Sequence, residues 1–285
     1  MKIYSLTFLL LFLMSFDKEV PEFFASGLRI VDQQGPDSVV ISNTIKLIFR
    51  SNDGGQTWVD ISEGLPQNLG DDFARDSFSA NDNGIYLRTE DGIYHSKPNS
   101  TAPFWNKENL TGKEKNNAPG NGIETSIDSA FTGSGTGVVK PMGKLIESNG
   151  AILATSQKGI IRSTDGGATW NLVIGEGGVG IALERVKGGF AAITYNTMSK
   201  IRRVRTSYDG GKTWQAIDAG LPPSPSITSI IQVGNHFFCG HPSGIFKSSD
   251  KGKTWKLILP SVDDKVFSLS ASGNVIYAIP RSPGC

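Results

Sequence analysis

The sequence predicts an all-β protein of repeated four-stranded antiparallel units, and three observations carry that prediction. The first is a pattern, Ser-x-Asp-x-Gly-x-Thr-Trp, that occurs four times in 285 residues. The second is spacing: the copies that start at Ser163, Ser207 and Ser248 lie 44 and 41 residues apart. The third is composition. With 34 Gly and 19% charged residues, the chain suits short apolar runs joined by tight turns.

The first copy holds Ser51, Asp53, Gly55, Thr57 and Trp58, and the second Ser163, Asp165, Gly167, Thr169 and Trp170. The third holds Ser207, Asp209, Gly211, Thr213 and Trp214, and the fourth Ser248, Asp250, Gly252, Thr254 and Trp255. The first two start 112 residues apart, which leaves room for a worn copy. Gly92-Ile93-Tyr94-His95-Ser96 leads into it, and Trp105 closes it after an altered turn. All five Trp then share one repeat position.

Three residues before each Ser stand Ile48, Ile93, Ile160, Val204 and Ile245, all β-branched. One residue before stand Arg50, His95, Arg162, Thr206 and Lys247, all polar. β-Branched residues favour strands, and the polar position marks a change of face near the strand end. Hairpin signals precede three copies, at Asp91-Gly92, Lys158-Gly159 and Ser243-Gly244. Two more apolar runs precede each hairpin strand and one follows each Trp. Four short strands in about 44 residues is the size and content of a β-propeller blade.

These repeats resemble the Asp-box, or BNR, repeats of bacterial propeller proteins, among them sialidases and other glycosidases, sortilin-type receptors and photosystem II assembly factors. The resemblance covers residues 39–279. It implies a propeller in which each box joins the third strand of a blade to the fourth, and no single activity. Asp53, Asp165, Asp209 and Asp250 are expected to accept bonds from turn amides and from the Ser and Thr hydroxyls. One acid per turn is a poor calcium cage, so no metal is expected. The Trp is expected to be buried as an anchor, with Trp170→Ala costing roughly 3–5 kcal/mol.

Residues 1–25 read as a signal peptide or N-terminal anchor: Lys2 precedes an apolar stretch at 3–16 that is short for a membrane span. Residues 26–285 read as the propeller, with a loop insertion at 106–142. The runs from Val266 and Val275 look like the first half of a further blade, so the expected count is six, or an incomplete seven. A segment around Phe23 to Val31 is one candidate for a closing strand.

Function is less legible. Lys plus Arg is 28 and Asp plus Glu is 27, which argues against a nucleic-acid partner. Two Cys and three scattered His offer no metal spacing, and no cofactor is expected. Propellers bind ligands on the face of blade-to-blade and second-to-third-strand loops, away from the boxes. Candidate residues there are Asp72, Arg88, Glu90, Asp91, Glu124, Asp128, Lys158, Arg205 and His241. The favoured reading is an exported protein, periplasmic, cell-surface or secreted, that binds a protein or carbohydrate ligand without catalysis. Membrane association would run only through an uncleaved N-terminus. The alternative is an exo-sialidase-like glycoside hydrolase. That resemblance implies an arginine triad with a Tyr–Glu pair and an Asp acid, and Arg29, Arg88 and Tyr277 with Arg281 are loose matches.

Overall fold

A computed structural model describes residues 48–66, 69, 77–90, 92–108, 140–148, 150–262 and 265–281. Every regular element among them is a β-strand. The first box links β1 (Phe49–Ser51) to β2 (Val59–Asp60). Blade 2 follows as β3 (Phe78–Asn81), β4 (Gly84–Thr89), β5 (Gly92–Ser96) and β6 (Asn106–Lys107). Blade 3 is β7 (Leu145–Ser148), β8 (Ala151–Ser156), β9 (Gly159–Ser163) and β10 (Asn171–Ile174). Blade 4 is β11 (Gly178–Val186), β12 (Gly189–Asn196), β13 (Ile201–Ser207) and β14 (Gln215–Ala216). Blade 5 is β15 (Ser229–Val233), β16 (His236–His241), β17 (Gly244–Ser248) and β18 (Lys256–Pro260).

The chain ends in β19 (Val266–Ser272) and β20 (Val275–Arg281), and these two do not start a further blade. β20 pairs with β1 in antiparallel register, Phe49 opposite Ala278 and Ser51 opposite Ile276. The sheet order is β19-β20-β1-β2, so the first and last described strands build blade 1 together. Among the described residues the strands form five four-stranded sheets. The sequence counts the C-terminal half-blade and the first box separately; pairing makes them one sheet. The segment around residues 23–31 lies outside the described residues, as does most of the 106–142 insertion.

Where blades pack on one another, their middle strands are covered and read as near-continuous apolar runs. Phe237, Phe238 and Cys239 of β16 are all buried, whereas the outer β18 is exposed at Lys256, Leu257 and Pro260. The core divides into clusters that span the seams. Phe238, Ile245 and Leu259 of blade 5 meet Phe49, Trp58, Phe267 and Ile276 of blade 1. Ile48 and Tyr277 of blade 1 meet Ile85, Leu87 and Trp105 of blade 2. Leu153 and Ile160 of blade 3 meet Leu183 and Phe190 of blade 4, and Ile193 and Val204 of blade 4 meet Ile230 and Phe237 of blade 5. Full burial of one such side chain contributes about 1.5–3 kcal/mol, so packing between blades is a main support of the ring.

In blades 1, 3 and 5 the polar position before the box Ser has a structural reason. Arg162 of blade 3 donates through Nε to the Gly210 carbonyl in the box of blade 4, at 2.8 Å. Lys247 of blade 5 donates to the Gly54 carbonyl in the box of blade 1, also at 2.8 Å, with its Nζ 5.5 Å from the Phe238 ring centroid. Arg50 of blade 1 reaches Ser100 in the altered turn of blade 2, donating to its carbonyl at 3.0 Å and its hydroxyl at 3.2 Å. A cation at the end of one third strand thus pins the next blade's turn. The Lys247–Gly54 bond joins residues 193 apart and ties the last repeat to the first.

Candidate functional site

The box turns are closed units. Ser163 Oγ donates to Asp165 Oδ1 at 2.7 Å and accepts from the Gly167 amide at 2.8 Å. The Thr169 amide donates to Asp165 Oδ1 at 2.9 Å and its hydroxyl to Oδ2 at 2.5 Å. The same set recurs around Asp53, Asp209 and Asp250. The Thr169 hydroxyl and amide hold the Asp165 carboxyl down at about 2, and those of Thr254 do the same for Asp250. Asp209 is shifted further in the same direction, again chiefly by its Thr. Burial opposes the shift at Asp53, but four hydrogen bonds from Thr57, Ser51 and Gln56 outweigh it. A carboxylate so engaged is a structural acceptor, not a spare acid or base.

Trp burial divides the repeat. Trp58 and Trp105 are 2% and 3% exposed, whereas Trp170, Trp214 and Trp255 are only partly buried. Trp170, expected to be buried, is half-buried. Trp105 Nε1 donates to the Ile61 carbonyl of blade 1 at 2.6 Å, and Trp255 Nε1 to the Ile217 carbonyl of blade 4 at 2.7 Å.

At the opposite end, Arg88, Glu90 and Lys158 are exposed on second-to-third-strand turns of blades 2 and 3. Asp72, Asp91, Glu124 and Asp128 lie outside the described residues. Arg205 is buried; its guanidinium donates to Thr194 Oγ1 at 3.0 Å and pairs with Glu176. Its strand neighbours are also engaged. Arg203 grips both carboxylate oxygens of Asp218 at 2.6 and 3.0 Å, and Arg202 donates to the Ile227 carbonyl at 2.7 Å. The basic run of blade 4 therefore fans out to four partners rather than converging on one anion.

His241 is buried rather than displayed. Its Nε2 donates to the Pro222 carbonyl at 3.0 Å, and its Nδ1 accepts the Ser243 amide at 3.0 Å. Burial pushes its pKa down, so the neutral ring fits the two bonds it makes. Tyr277 is fully buried, and burial pushes its phenol up to about 12, the reverse of an activated nucleophile. Cys239 is a free, buried thiol. Among the described residues no group of His, Cys, Asp or Glu gathers to hold a metal ion, and no helix is long and apolar enough to cross a membrane.

The turn at 196–200, between β12 and β13, is tied by several of its own hydrogen bonds. Asn196 Oδ1 accepts the Met198 and Ser199 amides, both at 2.9 Å, and its Nδ2 donates to the Glu176 carbonyl at 2.6 Å. The Thr197 hydroxyl donates to the Gly177 carbonyl at 2.5 Å. Lys200 completes the turn at φ 58°. At the tip stands Met198, 91% exposed.

One open cleft of about 650 Å³ lies at the box end, on blade 2. Its floor is His95 stacked flat on Tyr86, ring centroids 4.1 Å apart and planes 4° apart. His95 Nδ1 faces Glu108 Oε1 at 2.9 Å and Nε2 faces the Asn83 carbonyl at 3.0 Å. Its wall is the altered turn, where Ser100 replaces the missing Asp, sharing a bond with Ser96 Oγ at 3.0 Å and donating to the Lys97 carbonyl at 2.9 Å.

The BNR/Asp-box repeat family matches residues 205–216, the box of blade 4 with its flanking strand ends. Similar solved structures include an ancestral GH74 enzyme, at 18% identity and TM-score 0.40 over 75% of this chain and 28% of that one. A Hadza microbial sialidase matches at 21% identity and TM-score 0.29 over 46% of this chain and 34% of its own. The Trypanosoma rangeli sialidase matches at 15% identity and TM-score 0.26 over 45% and 29%. The chain thus spans about a third or less of the length of these enzymes. No curated protein matches it in sequence. Blade closure rests on the strand pairing of this chain itself.

The cleft is the feature that sequence reasoning passed over, because it lies on the Asp-box end. A signal for it exists. Ser96 and Trp105 are nine positions apart, against seven from Ser51 to Trp58, and the extra length opens the turn.

Proposed function

We propose that this Asp-box propeller is an exported, non-catalytic binding protein that docks a protein or glycan partner on the end away from the boxes. The observation that carries the reading is the 196–200 turn. A large apolar side chain, Met198, is held out in solvent by a turn in which the Met198 and Ser199 amides and the Asn196 and Thr197 side chains are tied down. Exposing an apolar tip from a rigid support costs little entropy on association and favours a protein with a matching pocket. The engaged arginines support the same reading, since Arg202, Arg203 and Arg205 are held by internal partners.

A photocrosslinking residue placed at position 198 should capture a discrete partner in the native cell, and one at Lys212, on the box end, should not. Met198→Asp should abolish capture by a crosslinker at Lys158. Enzymatic hydrolysis of a fluorogenic sialoside by the purified chain would replace this reading with the glycosidase one.

A further inference from the structure

We infer that the blade 2 cleft is a binding site for an uncharged saccharide, separate from the docking end proposed above. Blade 2 is the one blade whose Asp-box turn has lost its acid and gained length, and the cleft opens at that departure. In the complete boxes the Ser, Asp and Thr side chains bond to one another. Around the altered turn, Lys97 and Asn99, with Asp82 of the β3–β4 turn, line the cleft, are exposed, and make no side-chain hydrogen bond among the described residues.

The floor is preorganised. Both ring nitrogens of His95 have partners, and the half-buried Tyr86 is stacked on it with its hydroxyl bonded to the Asn81 and Asn83 side chains. Burial and the Glu108 charge raise the Tyr86 phenol, which keeps it neutral. A rigid floor lowers the cost of ordering on binding.

The rim chooses the ligand. Its free groups are one carboxylate (Asp82), one ammonium (Lys97) and one amide (Asn99), the last both donor and acceptor. An anion would pair with Lys97 and oppose Asp82, and a cation the reverse. A ligand whose hydroxyls both donate and accept satisfies all three, and the C–H faces of its rings pack on aromatic and proline surface, here Tyr86 and Pro98. The volume lies within the range of small-molecule sites.

The test is saturation-transfer NMR on the whole chain with cellohexaose, maltohexaose and chitohexaose, each at millimolar concentration. At least one should receive saturation, and competition should give its Kd. The double variant Asp82→Ala/Asn99→Ala removes only exposed side chains and should keep its melting temperature while weakening Kd at least tenfold. Lys158→Ala, at the other end, should leave Kd unchanged. Transfer to none of the three, equal binding by the double variant, or stronger binding of a sulfated hexasaccharide than of any neutral one would overturn the assignment. Because Met198 variants leave this cleft untouched, failure here and failure of the docking proposal are distinguishable.

Discussion

The complete turn of blade 3 and the altered turn of blade 2 occupy the same place in the repeat and solve the same problem differently. In blade 3, Asp165 gathers Ser163 and Thr169 into a closed knot that leaves nothing for a ligand. In blade 2, Ser100 supplies part of that bonding, Arg50 from blade 1 supplies more, and polar side chains are left facing a cleft. A turn that satisfies itself is a structural part. A turn held from outside can present unspent polar groups while the blade stays folded.

The largest test of this contrast is at the tryptophans. Trp105 is buried in the seam with blade 1 and bonded to Ile61, so Trp105→Ala should cost roughly 3–5 kcal/mol in urea denaturation. Trp170→Ala, at a half-buried position, should cost clearly less. Equal losses would mean that the altered turn is anchored no more deeply than a complete one.

Acid should separate the two turns next. The Asp165 and Asp250 carboxyls sit at about 2, below their ordinary value, because their native hydrogen bonds favour the charged form. The unfolded chain then binds more protons than the native one in that window, so their stabilisation is complete above about pH 4 and is lost as pH falls through about 2. In an NMR titration the Thr169 and Thr254 amides, bonded to those carboxylates, should shift with midpoints near 2. The Ser100 amide, bonded to the Lys97 carbonyl, should not share that midpoint. Midpoints near 4 at Thr169 would remove the closed-knot account.

The smallest effect concerns the box of blade 5. Lys251 takes a left-handed conformation, φ 61°, where the other complete boxes place Gly54, Gly166 and Gly210. A non-glycine residue there is strained by roughly 1–2 kcal/mol, partly offset by the greater freedom of glycine in the unfolded chain. Lys251→Gly should therefore raise stability by up to about 1 kcal/mol, read as an increased denaturation midpoint. A decrease would show that the lysine makes a compensating contact.

Much of this architecture was legible in the residue order. Ser163, Asp165 and Thr169 are two and four positions apart, so one tight turn brings them together whatever surrounds it, and the predicted bonds are the ones observed. The polar residue before each box was equally visible, but not its purpose: the partners of Arg162 and Lys247 lie on other blades. His241 was legible as a residue type but not as a buried one, because its partner Pro222 comes from the loop between blades 4 and 5.

By itself the sequence determined the repeat, the four-strand unit and the chemistry of the boxes, since all three are set by contacts within a few tens of residues. Only the tertiary structure decided that the first box and the C-terminal strands share one sheet, which Trp is buried and where a cleft opens. Those depend on pairings such as Phe49 with Ala278 and Lys247 with Gly54. Such long-range contacts form through close packing and backbone hydrogen bonding, which accept many residue types and so leave little mark on the order of the chain.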